Sequence, residues 1–114
     1  MNILVNGKEY PLEVKVTQKS KSQGMMGRNK LNGGMLFIFD KPQTHSFWMK
    51  NCLIPLDIVF LIGNKITSIH HSCEPCQKDD CDRYKGVGDT VLEFLGGFCK
   101  ENGINNGDQI EFIY

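Results

Sequence analysis

The stretch "PLDIVFLIGNKITSIH", residues 55–70, decides how this chain folds. Leu56–Ile62 is apolar at every position except Asp57, too dense for a strand with one wet face. Such a run requires a strand covered on both sides. Gly63-Asn64 then turns the chain, so the segment reads as a β-hairpin.

Working outward, a second dense run, "MLFIF" (35–39), follows the turn "NGG". "DKPQT" (40–44) reads as another turn, and "HSFWM" (45–49) as a further strand. At the N-terminus, Asn6-Gly7 separates two short extended runs and accepts the positive φ of a hairpin turn. "LEVKVT" alternates Leu12, Val14 and Val16 with polar neighbours, as a half-exposed strand does. Thr17 is placed to cap a short helix through about Gly27, with Lys19 and Lys21 outward and Met25 and Met26 inward. "TVLEFL" (90–95) is another strand, "GGFCKENG" a short helix closed by Gly103, and "GDQIEFI" a terminal strand behind the turn "NNGD".

Six to eight short strands with frequent turn signals define the expected fold. It is mainly β: a β-sandwich or partly closed barrel of mostly antiparallel strands, with two short helices. Residues 1–114 form one β-rich domain, and no parallel strand pair with a full crossover helix is expected.

The 40% hydrophobic and 23% charged content is that of an ordinary globule, and the formal net charge is zero. Lys15, Lys19, Lys21, Arg28 and Lys30 cluster without an acid between them, but also without interleaved aromatics, so nucleic acid is not the expected partner. The longest apolar stretch, 52–62, is interrupted by Asp57 and falls well short of the roughly 20 residues needed to span a bilayer. "MNILVNGKEY" has no basic n-region and only three consecutive apolar residues before a turn, so the expected compartment is the cytoplasm; a longer, exported precursor would read the same.

The sharpest functional signal is charge set inside apolar strands. Asp57 lies between Leu56 and Ile58, Glu93 between Leu92 and Phe94, and Lys50-Asn51 follows Phe47-Trp48-Met49. Burying an unpaired ionised group is costly, so these groups are expected to meet one another or to line a wet cleft. Strand periodicity puts Trp48 and Lys50 on one face with Ser46, and Met49 and Asn51 on the other. With Arg28, the candidate ligand-binding set is Arg28, Trp48, Lys50, Asn51, Asp57 and Glu93. In that cleft Trp48 would stack on a small polar ligand, the cations would bind its anionic or hydroxyl groups, and the carboxylates would accept its donors. The same residues also suit a structural network that pins strand register. General acid–base chemistry by the two carboxylates is a third reading. No spacing fixes their separation and no nucleophile arrangement is visible, so no catalytic residue and no cofactor is assigned.

The quoted strands carry a resemblance as well. "GMMGRNKLNGGMLFIFD" (24–40), "FWMKNCLIPLDIVFL" (47–61), "VLEFLGG" (91–97) and "GINNGDQIEF" (103–112) resemble the uncharacterised family catalogued as domain of unknown function 192. The resemblance covers roughly residues 10–113 and implies a small, predominantly β, sandwich-like domain, with no activity to carry over. Met25 and Cys52 stand where relatives usually carry leucine and threonine. A subset of relatives has two cysteines with four residues between them before a tyrosine, which Cys76, Cys81 and Tyr84 match.

Those cysteines belong to "HHSCEPCQKDDC" (70–81), which admits three states. Cys73, Cys76 and Cys81 with His70 or His71 have zinc-ligand character, although Pro75 disfavours the tight turn a zinc knuckle needs. The family pattern implies a Cys76–Cys81 disulfide, for which the spacer is long enough. In a reducing compartment the pair would instead be free thiols. The acids Glu74, Asp79, Asp80 and Asp82 disfavour thiolate chemistry. No metal is assigned, and the leading alternative to a ligand-binding module is a structural or metal-binding protein built around loop 70–84. Cys52 and Cys99 read as small core residues.

Overall fold

The computed structural model describes residues 1–114. In chain order the elements are β1 (Asn2–Val5), β2 (Lys8–Lys15), α1 (Gln18–Gln23), β3 (Gly34–Phe47), β4 (Leu56–Ile62), β5 (Lys65–Cys73), β6 (Tyr84–Leu95), α2 (Phe98–Glu101) and β7 (Glu111–Ile113). They form one mixed sheet in the order β5-β4-β6-β3-β2-β1-β7. The sheet curls until its two ends nearly meet. Ile66 N–H donates to the Asp108 carbonyl (2.9 Å), and Ile110 N–H to the Asn64 carbonyl (2.8 Å). Of the two expected architectures, the partly closed barrel is the one formed. No helix is long and apolar enough to cross a membrane.

Both faces of the central strands are covered, as their dense apolar runs require. Val59, Leu61, Leu36, Leu92 and Phe94 fill the concave side with Ile3, Ile66, Cys99 and Ile110. Leu56, Ile58, Phe60, Met35, Phe37 and Val91 pack on the convex side against Met25, Leu31, Met49, Cys52 and Cys73. Period-two alternation sorts neighbours on one strand into these two cores.

The β1–β2 hairpin turns on Asn6 and Gly7, both at positive φ (51° and 81°). Thr17 caps α1, its Oγ1 accepting from Ser20 N–H at 3.1 Å. The helix stops four residues before the expected Gly27, because Gly24 leaves helical geometry at φ 43°.

Three expectations about connectivity are corrected. First, β2 and β3 are parallel, paired from Leu12↔Gly34 to Lys15↔Phe37, and α1 lies in the crossover between them. A six-residue helix is too short to give the periodic signal of a βαβ unit. Second, "DKPQT" is no turn between strands but a bulge within β3. Ile38 pairs with Thr90 and Gln43 with Gly88, so five steps on β3 run against two on β6. Pro42 falls in the unpaired segment, where no ladder N–H is needed. Third, β6 starts at Tyr84, six residues before the expected Thr90. Gly86 and Gly88 resemble loop punctuation in sequence, yet here they let other groups close in. A Cβ on Gly86 would overlap the Phe60 ring, and one on Gly88 the Leu61 carbonyl.

A candidate ligand cleft walled by Trp48 and closed by Glu93

On the convex side a cleft of about 380 Å³ opens between the α1 turn, the far half of β3 and the segment after it. Its walls include Met25, Phe37, Phe39, Phe47 and Trp48, with His45 and Lys21 toward one side and Cys52 and Glu93 completing the lining. The aromatic walls brace one another. Phe47 meets Phe37 edge-on at 5.2 Å between centroids, and His45 stacks on Phe39 at 3.8 Å. Burial holds the His45 pKa below the ordinary imidazole range, against the opposing hydrogen bond to the Gly88 carbonyl (3.0 Å) and with the charge of Lys21 adding to it.

Glu93 is the most buried polar side chain of the lining, only 4% exposed. No protein donor reaches its carboxyl, and its remaining exposure opens on the cleft. Burial alone pushes its pKa up to about 8. At neutral pH it is therefore mostly a protonated acid, both donor and acceptor, facing an apolar chamber.

Asp57 is treated differently by the fold. It is fully buried, and it accepts three backbone N–H bonds: Ser72 (2.8 Å) and Gly97 (3.2 Å) on Oδ1 and Cys99 (2.9 Å) on Oδ2. It ties the end of β5 to the start of α2, on the sheet face opposite the cleft. No cation accompanies it.

The other candidates also part company. Arg28 is held bidentately by Glu13, both contacts at 2.6 Å; this hydrogen-bonded pairing lowers the Glu13 pKa and raises that of Arg28. Lys50 Nζ donates to the Lys78 carbonyl and lies 3.6 Å from Asp79. Asn51 is exposed and takes φ 58°; its N–H donates to the Cys76 carbonyl and its carbonyl accepts from Gly27 N–H, each at 2.9 Å. β3 ends at Phe47, so strand alternation no longer governs residues 48–51; Met49 is buried and Lys50 half-buried. Of the six candidates, the cleft brings together Trp48 and Glu93. His45, Phe37, Phe39, Phe47, Met25 and Cys52 join them, and reading the strands one at a time missed these. The density of aromatics in "FIFDKPQTHSFW" was the available signal.

Cys76 and Cys81 form a disulfide. Cys52, Cys73 and Cys99 are free and buried, and no group of three or more His, Cys, Asp or Glu side chains is placed to hold a metal. The braced loop supports the cleft from behind. Cys76 N–H donates to the Met49 carbonyl (3.1 Å), Gln77 Nε2 to the Cys52 carbonyl (2.7 Å), and the Arg83 guanidinium lies 4.1 Å over the Trp48 ring.

These features define a single curled-sheet domain with an aromatic cleft backed by a disulfide loop. The chain belongs to the DUF192 family, described as uncharacterized ACR, whose model matches residues 1–112. Two solved structures are similar. One, from Sinorhizobium meliloti 1021 and provisionally described as a transcription regulator, is 28% identical (TM-score 0.82), covering 96% of this chain and 89% of the other. The second, a protein of unknown function from Novosphingobium aromaticivorans DSM 12444, is 29% identical (TM-score 0.83), covering 97% and 82%. No curated protein sequence matches.

Proposed function

We propose that this chain is a small-ligand-binding module whose ligand enters the convex-side cleft, stacks on Trp48 and meets the Glu93 carboxyl. One observation carries the reading: a buried acid without a protein partner faces an aromatic chamber of ligand size. A purely structural carboxyl would be satisfied as Asp57 is. Arg28 and Lys50 serve the walls in this reading rather than the ligand. Loop 70–84, the core of the alternative reading, becomes the brace that positions Trp48.

The disulfide pulls against a cytoplasmic location, where thiols are kept reduced. Among the basic residues of 15–30, Arg28 is engaged by Glu13 and Lys21 lies over Phe39.

Trp48 is the sole tryptophan, so its emission reports on the cleft directly. A fluorescence and thermal-shift screen of small metabolites is expected to find ligands whose stabilising effect is lost in Trp48→Ala and kept in Cys99→Ala. Ligands that stabilise the protein equally with and without Trp48 would place binding elsewhere.

A further inference from the structure

We infer that the ligand presents a compact alkylammonium group, held by the walls of Phe37, Phe47, Trp48 and Met25 against the carboxylate of Glu93. This rests on the binding reading above and names its chemical class.

The lining is poor in groups that could receive an anion. Its one cationic side chain, Lys21, has its ammonium 4.1 Å over the Phe39 ring. Beside the polar side chains of Ser22, Gln23, His45 and Ser46, the chamber offers π-faces, polarisable thioethers and one acid. Aromatic faces attract cations through their quadrupole, most strongly where water is excluded. Two rings of this wall already do so, Phe39 under Lys21 and Trp48 under Arg83. Trp48 lines the cleft, whereas Arg83 does not. An unpartnered buried acid supplies the countercharge that such a cage needs.

Binding then releases a proton. A cation beside Glu93 favours its ionised form, so the acid gives up its proton to solvent as the ligand enters. The groups facing Glu93 are Cys52 from the segment after β3 and Cys73 from β5, with His45 and Lys21 across the cleft. Burial pushes the two thiols to about 11 and about 12, and His45 is held below its ordinary value. From pH 7 to 9 the linked change therefore falls on Glu93, which titrates at about 8.

The test titrates intact protein with n-butylammonium and tetramethylammonium against their neutral counterparts n-butanol and tert-butanol. Trp48 emission and thermal shift are read at pH 7 and pH 9. Ammonium affinity is expected to rise about tenfold from pH 7 to 9, while the alcohols stay level. Glu93→Gln keeps the shape, so it should bind the alcohols as before and lose the pH dependence and most of the ammonium affinity. Retained ammonium binding in Glu93→Gln, or ammonium affinity flat with pH, overturns the inference. Alcohol binding that is lost in Trp48→Ala but gains nothing from a positive charge also overturns it, and leaves the cleft reading standing. If no probe moves either readout, both fall.

Discussion

Asp57 and Glu93 sit on neighbouring strands one register step apart and point to opposite faces of the same sheet. Asp57 pairs with Phe94 and Glu93 with Ile58. Phe94 belongs to the concave core and Ile58 to the convex one. The two acids therefore never meet. One is a fully satisfied clamp, the other an open group in a cleft, and they are expected to respond to mutation in opposite ways.

Asp57→Asn leaves one oxygen to serve three N–H donors and turns an amide donor toward at least one of them. Stranding buried donors costs about 1–3 kcal/mol each, so a loss of roughly 2–5 kcal/mol is expected by urea denaturation. A loss under about 1 kcal/mol would show that these bonds do not hold α2 to β5.

Glu93→Gln should do the reverse near neutral pH. The unfolded carboxyl titrates near 4.5 and the folded one near 8, so between them the unfolded state binds fewer protons. Stability then falls as pH rises through that window and levels above it, by roughly 3–6 kcal/mol in all. Melts at pH 5 and pH 8 should show wild type losing more stability than Glu93→Gln, with the variant the more stable at pH 8. Parallel pH profiles for the two proteins would refute the unpaired acid.

Opening the Cys76–Cys81 bond should loosen the wall behind Trp48. On chain entropy alone the six-residue loop contributes about 2 kcal/mol. Cys76→Ser is expected to lower the unfolding midpoint accordingly and to shift Trp48 emission to the red as Arg83 releases the ring. Thiol titration tests the pairing itself: three thiols in unfolded, unreduced protein and five after reduction.

Gly86→Ala probes the close packing of β6 on Phe60. The added methyl has no room, because Phe60 is fully buried and held edge-on by Phe47. A loss of about 1–3 kcal/mol is expected from chemical denaturation, as for other overpacked sites. Gly63→Ala, with open space at the β4–β5 turn, should cost less, and only through its positive φ.

Much of the fold was legible because it depends on local chemistry. Asn6-Gly7 makes its hairpin by backbone preference, Thr17 caps its helix with its own hydroxyl, and the run 56–62 is too apolar for an exposed strand. What misled were residues whose local and tertiary roles differ. Pro42 looks like a turn yet sits in a bulge, and Gly86 looks like a loop yet makes room for an aromatic ring. The site was half legible for the same reason. Acids embedded in apolar strands stood out in the sequence, but their partners lie 15 to 42 residues away in sequence, or do not exist.

By itself, then, the sequence determined a mainly β domain, its principal turns and the short set of polar groups that had to be explained. Only the tertiary structure decided which of them are answered and which are left open. Strand register assigns each side chain to one face or the other, and a single step of register separates a carboxyl wrapped in backbone N–H groups from one that faces an aromatic cleft.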